Sequence, residues 1–148
     1  MCIRDSAHIN LEELVRSMPE FQTNMSELEK IAKDYEIELE NLNKEYIAKR
    51  QDYAADEQNQ TRVTNANRAQ ELADMENRII QYRQTINQDL QNKNFELMKP
   101  VYEKANAAID KIASSQGFDY VLNSQQGGPI LISKGKDLMA DVKIELGF

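Results

Sequence analysis

The feature that most limits the fold of this chain is a stripe of apolar residues that begins at Met18. Every seventh residue from there reads Met18, Met25, Ala32, Leu39, Tyr46 and Tyr53, and a second row reads Phe21, Leu28, Tyr35, Leu42 and Lys49. Ten of these eleven positions are apolar or aromatic, and Lys49 is the exception. Alternating steps of three and four, held for about five heptads, form a coiled-coil seam, because slight underwinding keeps such a stripe against a partner helix.

The partner is expected in the same chain. From Ala54 to Ala69 the only large apolar residue is Val63. A second seam then runs through Leu72, Met75, Ile79, Tyr82, Ile86 and Leu90, and continues by Asn94, Leu97, Val101, Ala105, Ala108 and Ile112. Its repeated steps of four mark a stutter, which locally unwinds a supercoil. Two helices of about 40 residues around a polar middle predict an antiparallel hairpin, each arm about 60 Å long at about 1.5 Å per residue. Only five Gly and three Pro interrupt the whole chain, which suits long helices. Pro100 falls inside the second helix and predicts a kink, and Gly117 is placed to end it.

The last third changes pattern. "FDYVLN" reads as a strand in which Phe118, Tyr120 and Leu122 alternate with Asp119 and Val121; "SQQGG" reads as a turn and "PILIS" as a second strand. "KDLMADVKIELGF" predicts a closing helix with Asp137 as N-cap, an apolar stripe of Leu138, Val142 and Leu146, and Gly147 as its stop. At the front, "AHIN" suits a short strand and "LEELVRSMPE" a helical turn capped by Asn10, with Pro19 opening the long helix.

The expected fold class is therefore mainly α with a small β body. A long antiparallel coiled-coil helical hairpin is inserted in a small α/β association domain formed by both chain ends. Residues 7–18 and 100–148 make the body, residues 19–99 the arm, with its tip near 56–67. A body of about 60 to 70 residues has a thin core and short strands with open edges, so it is expected to oligomerise.

Chemistry is scarce. His8 is the only histidine and Cys2 the only cysteine, so neither has the partners that a metal site needs. His8 reads as a structural residue, and Cys2 has no fixed base nearby. "GGPILISKGK" lacks the spacing and the Ser/Thr of a phosphate loop. The carboxylates fall on helix faces, where solvation rather than catalysis is their role. The expectation is no enzyme, no cofactor and no metal. A net charge of −7 argues against nucleic acid, and allows at most peripheral membrane contact. No stretch approaches the roughly 20 apolar residues of a membrane span.

What remains is surface. Ile37 and Ile47 lie off both seams of the first helix and Ile31 flanks them, while Ile80, Phe95 and Met98 lie off the main stripe of the second. These six are the candidate contact points for nonpolar chain segments. Ile9, Tyr120, Leu122, Ile130 and Ile132 are the candidate residues of the oligomerisation body.

The order of these pieces resembles a known family. "HINLEELVRSMPEF", the heptad hairpin, "ELMKPVYEKANAAIDKIASSQGFDYVLN" and "KDLMADVKIELGF" are together similar to the Skp/OmpH family of periplasmic chaperones, over about residues 7–148. The resemblance implies a homotrimer whose chain ends associate and whose hairpin arms enclose a cavity. It implies an ATP-independent holdase that keeps unfolded outer-membrane β-barrel proteins from aggregating in the periplasm. The family's best-known member is basic, whereas residues 19–99 here carry 11 basic and 16 acidic residues. A lipopolysaccharide site is therefore not carried over. Two other readings share the arm architecture: a structural coiled-coil adaptor that binds a folded partner, and a prefoldin-like cytosolic chaperone. The opening "MCIRDS" supplies neither an export signal nor good strand residues, so residues 1–6 are expected to be foreign to the domain or disordered, with the native signal missing.

Overall fold

The structure, a computed structural model, describes residues 6–148. Cys2 and the rest of Met1–Asp5 lie outside the described residues. Ser6 opens the first strand, so the sheet begins inside the stretch expected to be foreign. The elements run β1 (Ser6–Ile9), α1 (Leu11–Ser17), α2 (Pro19–Ala55), α3 (Arg62–Gln116), β2 (Tyr120–Asn123), β3 (Lys136–Asp137) and α4 (Met139–Leu146).

Local chemistry sets these boundaries. Asn10 caps α1 by accepting a bond from the Glu13 amide at 3.1 Å. Met18 precedes Pro19, and the proline ring disfavours helical backbone before it. Met18 is accordingly extended, at φ −71° and ψ 135°, and separates α1 from α2. Pro19 opens α2, where its missing N–H costs nothing. The turn between the long helices takes only Asp56–Thr61 and includes a short 3-10 helix at Glu57–Asn59. The Thr61 hydroxyl then accepts from the Thr64 amide at 3.1 Å and starts α3. The polar run to Ala69 thus belongs largely to a helix rather than to a broad tip.

α3 continues through Pro100 to Gln116. Gly117, at φ 74°, ends it, with the Phe118 amide donating back to the Ala113 carbonyl at 3.0 Å. Gly147 plays the same part after α4 at φ 87°. Asp137 is not the N-cap residue of α4, a position held by Leu138, but its carboxylate still accepts from the Met139 amide at 2.9 Å.

The sheet differs from the expected hairpin. Its order is β2-β1-β3 and both pairings are parallel. β1 lies in the middle, so neither of its edges is left for "PILIS". Residues 129–133 form no strand, and Leu131 and Ile132 are 94% and 78% exposed. The two-residue β3 lies further on. The phase of β2 is also the reverse of the expected one. Val121 pairs with buried Ala7 and packs on the core, whereas Tyr120 and Leu122 are exposed.

The chain divides into two compact units, one made of residues up to 26 with 94–148, the other of residues 27–93. The first holds one core, in which Leu14, Val15, Met18, Leu138 and Val142 are the largest fully buried side chains. Complete burial of one such side chain contributes about 2 kcal/mol. Val101, Ala105 and Ala108 line the α3 side of it. Small residues there let α3 approach the sheet and α1 closely.

The second unit is the middle of the hairpin. Partners climb along α2 as they descend along α3: Tyr35 with Asp89, Glu38 with Tyr82, Lys49 and Tyr53 with Glu71, Asp56 with Arg68. That order is antiparallel without a slip. Among its residues only Met75 and Ile79 are buried apolar groups.

Candidate functional site

The arm has a polar seam edge rather than a packed interior. Tyr35 donates to Asp89 at 2.5 Å, Tyr82 donates to Glu38, and the two rings meet edge to face with centroids 6.3 Å apart. Nearer the turn, Tyr53 donates to Glu71 at 2.5 Å and Lys49 donates to the same carboxylate. Each phenol is held neutral by its carboxylate. The bond to Glu38 pushes Tyr82 up to about 12, and Asp89 and Glu71 raise Tyr35 and Tyr53 in the same way. Glu71 is itself held below the usual carboxylate range by Lys49 and then Tyr53. Sequence reasoning placed these tyrosines in an apolar seam and missed the rungs. The available signal was a tyrosine on each seam with an acidic residue one step off the other.

Outside this seam lie the candidate contact points. Ile37, Ile47 and Ile80 are 48%, 44% and 49% exposed, and Phe95 is 70% exposed. Ile31 is half-buried. Met98 is a correction: it is buried, so it offers no surface. The cause is the return of three-and-four spacing through Met98, Val101, Ala105 and Ala108, which turns Asn94 outward and leaves Leu97 half-buried. Met25, placed in the first seam, is 43% exposed.

In the body unit, Ile9 is only 2% exposed and belongs to the chain's own core, in the cluster that holds Leu14, Val15, Leu138 and Val142. It is not available to another subunit. Tyr120, Leu122 and Ile132 are exposed, and Ile130 is half-buried. Leu131, which the strand pattern would have turned to the opposite face from its neighbours, is the most exposed of all. His8 is half-buried, with Nδ1 3.3 Å from the Ser124 hydroxyl.

Among the described residues, no three His, Cys, Asp or Glu side chains gather as a metal site. A hollow of about 550 Å³ is lined by Asn10, by Glu12, Glu13, Arg16 and Ser17 of α1, and by Gln125 and Gln126. Among the described residues no helix is long and apolar enough to cross a membrane.

Comparison with known proteins agrees with this architecture. The family model described as outer membrane protein (OmpH-like) matches residues 5–146. No curated protein matches the sequence. Among solved structures, an OmpH-like protein from Caulobacter crescentus, described as a candidate outer membrane chaperone, superposes with a TM-score of 0.83 at 14% identity. The match covers 99% of this chain and 85% of that one. At that identity the likeness speaks for the fold, while the family model spans nearly the whole sequence. The chain belongs to the OmpH-like outer membrane protein family.

Proposed function

We propose that the protein is an ATP-independent holdase that works as a homotrimer in the periplasm and keeps unfolded outer-membrane β-barrel proteins from aggregating. The observation that carries this reading is that large apolar side chains stand exposed on the two long helices: Ile37 and Ile47 on α2, Ile80 and Phe95 on α3. Such groups suit many weak contacts with an unfolded chain, and several arms around one client turn weak contacts into avidity. The client stays mobile while its strand edges are kept from pairing with other chains.

Membership of the family supports the chaperone class, and the exposed segment at Leu131 and Ile132 supports association of the body. Leu131 and Ile132 are adjacent in the chain and both largely exposed, so together they offer apolar surface that association would cover. In this reading residues 7–18 and 100–148 associate and residues 19–99 hold the client. The arm is acidic, so client contact leans on apolar and polar groups rather than on a basic cage.

Native mass measurement and light scattering test the proposal together. The expected mass is three times 17.1 kDa. The trimer is expected to suppress aggregation of an unfolded outer-membrane barrel protein, with little loss of binding as salt rises. A trimer with no effect on aggregation would favour the coiled-coil adaptor instead, and a monomer would remove the cavity on which the holdase depends.

A further inference from the structure

The turn end of the hairpin contains a hollow of about 210 Å³. Its apolar lining comes from Ala54 of α2 and from Ala69 and Leu72 of α3, the two alanines being exposed. Arg50 and Tyr53 of α2 and Arg68 of α3 stand around it.

The walls are already organised for π contact. The Arg68 guanidinium lies 4.7 Å from the centroid of the Tyr53 ring, and Nη2 donates to Asp56 at 3.1 Å. Its Nη1 is shielded from solvent and, among the described residues, has no hydrogen-bond partner. Arg50 lies 5.8 Å from the Tyr46 ring on the same helix. One carboxylate, Glu57, is on the rim.

Size narrows the occupant. An apolar cavity of about 150 Å³ admits benzene, whereas sites for drug-sized ligands begin near about 300 Å³. The hollow therefore has room for one aromatic side chain. Guanidinium planes and a phenol ring attract the face of an aromatic group more than an aliphatic one.

We propose that this hollow binds a single aromatic side chain of an extended chain. The identity of that chain rests on the chaperone reading: membrane β-barrels carry girdles of aromatic residues, so an unfolded barrel offers many candidates. The hollow would add a preference for aromatic segments to the nonspecific apolar contacts of Ile37, Ile47 and Ile80.

Methyl NMR on the full chain tests it, with N-acetyl-L-tryptophan amide and N-acetyl-L-leucine amide as probes. The tryptophan amide is expected to shift the methyls of Ala54, Ala69 and Leu72 saturably, at least about threefold more tightly than the leucine amide. Ala69→Leu, which fills the hollow at an exposed helix position, is expected to abolish the shifts with helicity unchanged. Arg50→Gln leaves the hollow open and is expected to weaken binding about threefold. Absent shifts, equal binding of both amides, or full binding by Arg50→Gln would overturn the proposal. Light scattering with an unfolded barrel protein, run in parallel, separates the two readings. Protection without probe binding removes the aromatic site alone; probe binding without protection keeps the site and removes the holdase.

Discussion

The body unit and the arm unit are built from the same helices by different means. In the first, eleven buried residues form one core, and five of the larger ones are closed to solvent. In the second, only Met75 and Ile79 are buried, and the helices are tied by tyrosine–carboxylate and lysine–carboxylate rungs. The body therefore draws its stability from apolar burial, which water cannot replace. The arm combines a half-buried apolar seam with part-buried or exposed polar bonds, which water competes for more readily than it does for a sealed core. On the proposed holdase reading that difference is useful, since the apolar groups Ile37, Ile47 and Ile80 stay outside rather than in a core.

The sharpest way to break this contrast is to remove a core side chain from each unit. Leu14→Ala is expected to cost about 3 kcal/mol in urea denaturation, because its site is sealed. A loss below about 1 kcal/mol would mean that the body core is not the main source of stability. In the arm, Leu39→Asp would cost several kcal/mol if the seam were dry. Leu39 is only half-buried, so about 1 to 2 kcal/mol is expected, and a larger value would show a drier seam than the structure has.

The rungs give a third, smaller effect with a definite sign. A phenol whose folded value lies above its ordinary 10 stabilises the fold below pH 10, and loses that contribution as pH rises towards the folded value of about 12. Amide exchange in residues 27–93 should therefore quicken between pH 10 and about 12, relative to a Tyr82→Phe variant that has no such rung to lose. In a spectrophotometric titration that variant should also lack the latest-ionising tyrosine. A titration that superposes on the wild type would remove the Glu38 rung. Least disturbing of all are Ile37→Asp and Ile47→Asp, expected within about 0.5 kcal/mol of the wild type while aggregation suppression falls. Unfolding of either variant would show that these side chains support the fold.

The hairpin was legible because heptad periodicity is a local signal that neighbouring residues repeat many times. The caps at Asn10 and Gly117 were legible for the same reason: each depends on a few adjacent residues. The sheet was not, because parallel order is decided by which segment reaches β1 from far away. "PILIS" has strand composition, yet β1 has already given its two edges to Tyr120–Asn123 and Lys136–Asp137. Val121 shows the same limit, since its inward face is set by pairing with Ala7 and not by the alternation around it. For the contact surface, Ile37 and Ile47 could be placed by heptad position alone, whereas Met98 could not, because a stutter rotates the stripe by an amount the pattern leaves open. The rungs at Tyr35, Tyr53 and Tyr82 required the register between two helices, which neither helix carries by itself.

The central place of β1 also sets an order of events during synthesis. The strand that emerges first, Ser6–Ile9, pairs only with strands that begin at Tyr120 and Lys136. Until Lys136 and Asp137 have been made, Ala7 and His8 lack their second neighbour in the sheet, whereas the hairpin can zip from its turn outward through nearby residues. Local contacts form fast and distant ones slowly. The growing chain can therefore form its hairpin before its sheet, and a chain truncated ahead of Tyr120 would keep Ser6–Ile9 unpaired.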